Sequence, residues 1–346
     1  MQQEKQIVQH RAGENVHALS SKRIKHTRVS DIMTELDTLI YPGSQDSILL
    51  VCGPAGAGKT TLAKYMVNSA LERAHAEMES NRGIIPAIFV EAPSSGESNF
   101  SWRLFYQRIL AQLGDELDYP KMVYGVDPES GRMVKPRGSS GNTLAALRAA
   151  VERGLQARQV EFLVIDEAAH IIRQTRGHGR LEIQLDTLKS LANNSGTQMI
   201  MIGAYDLYQL VSLSGQIARR THVLHFERYR EDRPEDVLAF NRCVLAFEKM
   251  LPDLWGGQLS RHSTALLHNT LGCIGTLSGV LKRAAKLAEG AGDWSVDALK
   301  RALLTEAQRL RILDEILDGE SAIGPSQLRV LATPKQETPK SKGGIQ

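Results

Sequence analysis

The sequence predicts an α/β fold, a parallel sheet flanked by helices, followed by a small all-helical segment. Three observations carry that prediction. Apolar strand-sized runs alternate with helical stretches from residue 47 to about 231, the pattern of a parallel sheet. A glycine-rich run, Gly53-Pro-Ala-Gly-Ala-Gly-Lys-Thr60, lies between one such strand and the next helix. After about residue 232 the strand signals stop and only helical periodicity continues.

The elements follow in order. Residues 1–27 read as a loosely structured basic arm, with Lys5, Arg11, Lys22, Arg23 and Lys25 against only Glu4 and Glu14. Helical apolar spacing over 28–40 ends at Pro42-Gly43. A buried strand at 47–52 leads into the glycine-rich run, and a helix follows it to about residue 80. Residues 84–90 are rich in β-branched side chains and read as a second strand. An amphipathic helix at 100–117 precedes a proline-, glycine- and serine-rich stretch at 118–141, expected to be a long loop or insertion. A helix at 143–159, a strand at 161–167, a helix at 184–194 and strands at 198–202 and 223–226 complete the α/β part. Helices are expected at 234–250, 276–289 and 295–317. The expected division is a basic arm at 1–27, an α/β domain at 28–231 with its insertion at about 94–141, a helical lid at 232–320 and a disordered basic tail at 321–346.

The glycine-rich run is a complete G-x-x-x-x-G-K-[ST] phosphate-binding loop in the strand–loop–helix setting it requires. Gly53, Gly56 and Gly58 permit positive φ and close approach, so the backbone of Gly53, Pro54, Ala55, Gly56, Ala57 and Gly58 can cradle phosphates. The helix beginning near Thr61 directs its positive end at the same anion. Lys59 would reach the β- and γ-phosphates, and the Thr60 hydroxyl would ligate Mg²⁺. The sequence therefore predicts nucleoside triphosphate binding.

Asp166 and Glu167 end the apolar strand Phe162-Leu-Val-Ile165. A carboxylate at Asp166 can hold Mg²⁺ opposite Thr60, and Glu167 can orient and polarise the water that attacks the γ-phosphate. This acid pair points to an ATPase rather than a small-molecule kinase, and no Asn-Lys-x-Asp signature favours guanine. Arg219 and Arg220 precede a late strand, where either can project onto the γ-phosphate of a neighbouring subunit. Leu213-Ser-Gly-Gln216 imitates a transporter signature, but it comes after the acid pair instead of before it.

Composition narrows the class. At 346 residues and 42% hydrophobic content the chain has material for a sizeable core. No apolar run approaches a membrane span, and the N-terminus shows no secretory signal. Cys52, Cys243 and Cys273 are widely separated, so the expected setting is a reducing cytoplasm. The net charge is +3 and the basic residues are clustered; Lys335, Lys340 and Lys342 make the tail basic as well.

Together, residues 53–61, Val164-Ile-Asp-Glu-Ala-Ala-His170, Met201-Ile-Gly-Ala204 and Ile217-Ala-Arg-Arg-Thr221 resemble the AAA+ ATPase family over roughly residues 20–290. Asp-Glu-x-x-His, Leu188-x-x-Leu-x-Asn193 and Gly272-Cys-Ile-Gly275-x-Leu look most like the TniB/TnsC-type transposition regulators, relatives of MuB and IstB. The resemblance implies ATP and Mg²⁺ as cofactors and a homo-oligomer, ring or filament, on double-stranded DNA. It further implies a transposase and target-selection proteins as partners, in the bacterial nucleoid. Two positions depart from the family pattern: Gly203-Ala204 stand where a polar sensor is usual, with Asn193, Asn194 and Asp206 nearby. Gly275 stands where a lid arginine is common, with Lys282 or Arg283 as substitutes. Slow or partner-gated hydrolysis is the expectation.

Basic residues placed to meet DNA phosphates are Lys121, Arg132, Lys135 and Arg137 on the insertion, Arg148 and Arg153 on the next helix, and Arg173, Arg176 and Arg180 after the acid pair. Two other functions share the same motifs. One is a helicase loader or replication initiator; the other is a signalling NTPase that never touches DNA.

Overall fold

The computed structural model describes residues 19, 24–41, 47–94, 96, 99–114, 125–126, 133–134, 143–173, 178–211, 221–291 and 295–324. Its main sheet has five parallel strands in the order β2-β5-β6-β1-β7, namely Ala87–Glu91, Phe162–Asp166, Gln198–Gly203, Ile48–Cys52 and Thr221–His225. Strands β1, β5 and β6 are buried at every position. That double-sided burial is why they read as continuous apolar runs without alternation.

Helices cover both faces. On one, Leu50, Ile165 and Met201 pack with side chains of α4 (Trp102–Gln112), α5 (Leu144–Ala157) and α7 (His178–Ser195), chiefly Phe105, Val151 and Leu188. On the other, Leu49, Val164 and Ile200 pack with Ile32 and Leu36 of α1 (Thr27–Leu39) and with Leu62 and Met66 of α2 (Lys59–Arg73). The chain then turns helical. Phe240, Trp255, Leu267, Leu277 and Leu281 form a separate core from α8 (Pro234–Met250), α9 (Pro252–Trp255), α10 (Ser263–Asn269) and α11 (Ile274–Ala291). Leu19 joins this second core from the N-terminal side, and Ile24 packs on its rim.

Several expectations need adjustment. The helix expected to run to residue 80 breaks at Ala74, and the short α3 (His75–Ser80) buries nothing. Without a buried stripe, nothing keeps α3 in line with α2. The second strand begins at Ala87 because Ile84 and Ile85 spend their N–H groups on Asn81 and Arg158 carbonyls. The helix expected at 295–317 is two, α12 (Val296–Ala302) and α13 (Glu306–Ile323), the second opened by a Thr305–Gln308 capping box. Helices α9 and α10 were not expected at all. Within the insertion, β3 (Gly125–Val126) and β4 (Met133–Val134) pair antiparallel. Residues 321–323, expected to open the disordered tail at 321–346, instead form the last turn of α13; the rest of that tail from 325 and most of the basic arm lie outside the described residues. Among the described residues no helix is long and apolar enough to cross a membrane.

Candidate functional site

All five strands of the main sheet run parallel, so their C-terminal ends open on one edge. The loop Gly53–Gly58 leaves β1 there, and Asp166 ends β5 there, with β6 between them. Gly56 and Gly58 take φ of 76° and 113°, conformations that a side chain resists. Gly53 does not take positive φ. A Cβ on it would lie 2.3 Å from the Phe226 carbonyl oxygen, so close packing of the strand end fixes that glycine.

Lys59 turns back on its own loop, donating to the carbonyls of Gly53 at 2.9 Å and Pro54 at 2.8 Å. Burial lowers its pKa; Cys273, Glu167, Asp166 and Cys52 nearby oppose that shift. The Thr60 hydroxyl hydrogen-bonds the Asp166 carboxylate, which also accepts the Glu167 N–H at 3.0 Å. Burial raises the Asp166 pKa against those two hydrogen bonds. Glu167 is exposed and held at φ 51°, a left-handed conformation uncommon for a residue with a Cβ. The structure thus brings Lys59, Thr60, Asp166 and Glu167 together. The Thr60–Asp166 pair is an all-oxygen donor set, the kind that suits Mg²⁺. The neighbouring thiols of Cys52 and Cys273 are buried and pushed up to about 12, so they remain protonated.

The positions weighed as sensors fall differently. Asn193 and Asn194 end α7 next to the start of β6, at the opposite edge of the sheet, and so are removed from consideration. Asp206, in the 3₁₀ turn Tyr205–Leu210, is paired with Arg173 at the end of α6 (Ala169–Arg173). Arg283 donates twice to the Ala302 carbonyl, at 3.1 and 3.0 Å, through Nε and Nη2. Gly275 lies directly on the phosphate-binding loop, its N–H 2.6 Å from the Gly56 carbonyl oxygen, with the Thr276 N–H at 3.1 Å from the same oxygen. His170 is held by a hydrogen bond between Nδ1 and the Ala92 carbonyl at 3.2 Å, a structural contact.

The candidate DNA contacts divide. Arg148 is engaged by Glu152 at 2.9 Å and Ser190 at 2.6 Å and leaves the set. Arg153 and Arg180 are exposed, and Arg173 is exposed but paired with Asp206. Lys121, Arg132, Lys135, Arg137 and Arg176, together with Arg219 and Arg220, lie outside the described residues.

Sequence reasoning missed His26. It is buried, its Nδ1 lies 3.0 Å from the Tyr229 hydroxyl, and its ring meets Phe226 edge-on. Its Nε2 lies 3.4 Å from where a Cβ on Gly58 would stand. Burial, and then Arg28, lower its pKa to about 4, so it is neutral at pH 7. Nothing in the flanking basic residues marks it.

Residues 42–211, just under half of the chain, match the model of the AAA domain. A search of curated proteins found no match. Among solved structures, the chain is similar to the ORC2 protein of Aeropyrum pernix, solved as ADPNP–ADP complexes. That likeness has 18% identity and a TM-score of 0.54, and covers 81% of this chain and 68% of that one. Domain III of the Thermotoga maritima replication initiation protein DnaA aligns at 13% identity and TM-score 0.41, over 85% and 94% of the two chains. Drosophila ORC bound to DNA aligns at 13% identity and TM-score 0.39, over 88% and 68%. At 18% identity the likeness to the ORC2 protein speaks for fold alone. Residues 42–211 are thus similar to the AAA domain, and the fold is a parallel α/β P-loop fold continued by a helical C-terminal part.

Proposed function

We propose that the chain is an ATP-dependent regulator of DNA transposition that oligomerises on target DNA and links target selection to a transposase. The observation that carries the ATPase part is the meeting of Lys59, Thr60, Asp166 and Glu167 at one sheet edge. The transposition part rests on the sequence resemblance of Asp166-Glu-x-x-His170 and its companions.

Bound Mg²⁺·ATP supplies the anhydride bond and the charge neutralisation of its leaving oxygen. The chain's residues do the rest. Lys59 exchanges its two loop carbonyls for phosphate oxygens. Thr60 and Asp166 hold the metal. Glu167 orients the attacking water and accepts its proton. Arg219 or Arg220 of a neighbouring subunit completes the charge balance. Gly203-Ala204 place no polar side chain at the tip of β6, and Asp206 beyond them is tied to Arg173 through one carboxylate oxygen; turnover is slow or gated by a partner.

The likeness to an archaeal ORC2 protein favours a second reading, a replication initiator or helicase loader on the same fold. Electron microscopy with a slowly hydrolysed ATP analogue, with and without duplex DNA, tests the shared part. Nucleotide-dependent rings or spirals on DNA are expected; monomers in every condition would defeat both readings. Pull-down of a transposase rather than a replicative helicase by the DNA-bound form separates the two. Assembly that ignores DNA would favour the signalling NTPase.

A further inference from the structure

Helix α13 straddles the molecule. It begins on the helical part, where Asn269 donates to the Leu304 carbonyl and accepts the Leu304 N–H, both at 3.0 Å. At mid-length Ile316 is buried with Leu271 and Cys273. Its last turns lie on the α/β part. A Cβ on Gly319 would come within 2.1 Å of the Tyr205 ring, so only glycine lets the helix seat there. One residue on, Glu320 receives Arg228 Nε at 2.8 Å and Nη2 at 3.4 Å, both side chains largely buried at 14% and 16% exposed. Ile323 ends the helix against the core beneath the sheet. At 18 residues, α13 spans about 27 Å.

The turn between α10 and α11 is held between this helix and the phosphate-binding loop. Leu271 and Cys273 face Ile316, while Gly275 and Thr276, two and three residues beyond Cys273, donate to Gly56. Tyr205, which α13 seats, also hydrogen-bonds His225 at 2.9 Å and opens the 3₁₀ turn carrying Asp206. One helix therefore presses on the turn that touches the loop and on the turn that follows β6.

We propose that α13 is a strap that positions the 271–276 turn on the phosphate-binding loop, with its clasp at Glu320–Arg228 and Gly319–Tyr205. Opening the clasp frees the helical part to leave the loop. None of the four clasp residues is among Lys59, Thr60, Asp166 and Glu167; Glu320 is a positioning residue.

Amide hydrogen exchange on the full chain without nucleotide tests this independently of any ATPase reading. Glu320→Gln is expected to raise exchange at Gly275 and Thr276 and across 205–211 by tenfold or more. Leu310→Ala, an exposed position on the same helix, should leave both segments unchanged. The exchanged pair Arg228→Glu with Glu320→Arg should restore protection. Faster exchange confined to the end of α13, with Gly275 and Thr276 unchanged, would overturn the proposal. So would failure of the exchanged pair to restore protection in a protein whose secondary structure is intact.

Discussion

The Arg28 guanidinium donates to both carboxylate oxygens of Asp236, at 2.8 and 2.7 Å across 208 residues of sequence. It joins the first helix of the α/β part to the first helix of the helical part, with Arg28 also over the Tyr229 ring at 5.4 Å. Asp236 is 4% exposed, so it is a buried charge that depends on its partner. Arg28→Ala should therefore cost about 3 kcal/mol, the lower end for breaking a buried pair, because the Arg230 N–H and Arg233 remain near Asp236. Urea midpoints measure it; a loss under about 1 kcal/mol would mean that Arg233 takes over the pairing.

His26 gives a pH prediction with a definite sign. Its pKa falls from 6.5 to about 4 in the folded chain, so between those values the unfolded chain binds more protons. Its stabilising share is full above about pH 6.5 and is lost as the pH falls toward 4, by roughly 3 kcal/mol in all. His26→Gln, which keeps a group able to meet Tyr229 but does not titrate, should remove that component. Comparing urea midpoints at pH 7.5 and pH 5 checks it, and an acid sensitivity equal in both proteins would place its origin elsewhere.

Two glycines of α11 make a contrast. A Cβ on Gly275 would come within 2.7 Å of the Gly56 carbonyl oxygen, whereas one on Gly279 meets nothing within 4 Å. Gly275→Ala should destabilise by about 1–3 kcal/mol through overpacking. Gly279→Ala should be neutral or stabilising by up to about 1 kcal/mol through helix propensity. Thermal midpoints of the two variants decide the matter.

Completion of the site by a neighbour is testable by mixing. The double change Arg219→Ala and Arg220→Ala should leave nucleotide affinity unchanged and lower turnover by about 10³-fold or more. Adding Lys59→Ala subunits, which retain the arginines, should restore part of the turnover. Mixtures no more active than either variant alone would refute a shared site.

Salt dependence separates the basic residues. If Arg153 and Arg180 meet phosphates, their alanine variants should each flatten the slope of log affinity against log salt by about 0.9. Arg148→Ala should leave the slope alone and lower stability, since its guanidinium holds Glu152 and Ser190. An unchanged slope for Arg153 and Arg180 would withdraw them from the interface.

What could be read from the sequence was local. The loop at 53–60 and the acid pair each lie in a contiguous segment whose strand and helix flanks show in the same few residues, so their meeting follows from the parallel sheet. Gly275 shows the limit. In sequence it looks like the place of a missing arginine; in the fold it is where no side chain fits against Gly56. His26, Tyr205 and Glu320 gave no signal because their roles rest on partners far along the chain. The break at 303–305 was readable, since Thr305 and Gln308 form a capping box that helical periodicity alone obscures.

The two ends of the described chain trade places. Leu19 is lodged in the core built mostly from residues after 234, and Ile323 packs against the core built mostly from residues before 211. Like a belt crossed between two pulleys, such a chain cannot be parted by a single cut. A protease nicking it between β7 and α8 leaves each fragment gripping the other. The nicked protein should therefore migrate as one particle in a native separation and fall into two bands only in denaturant.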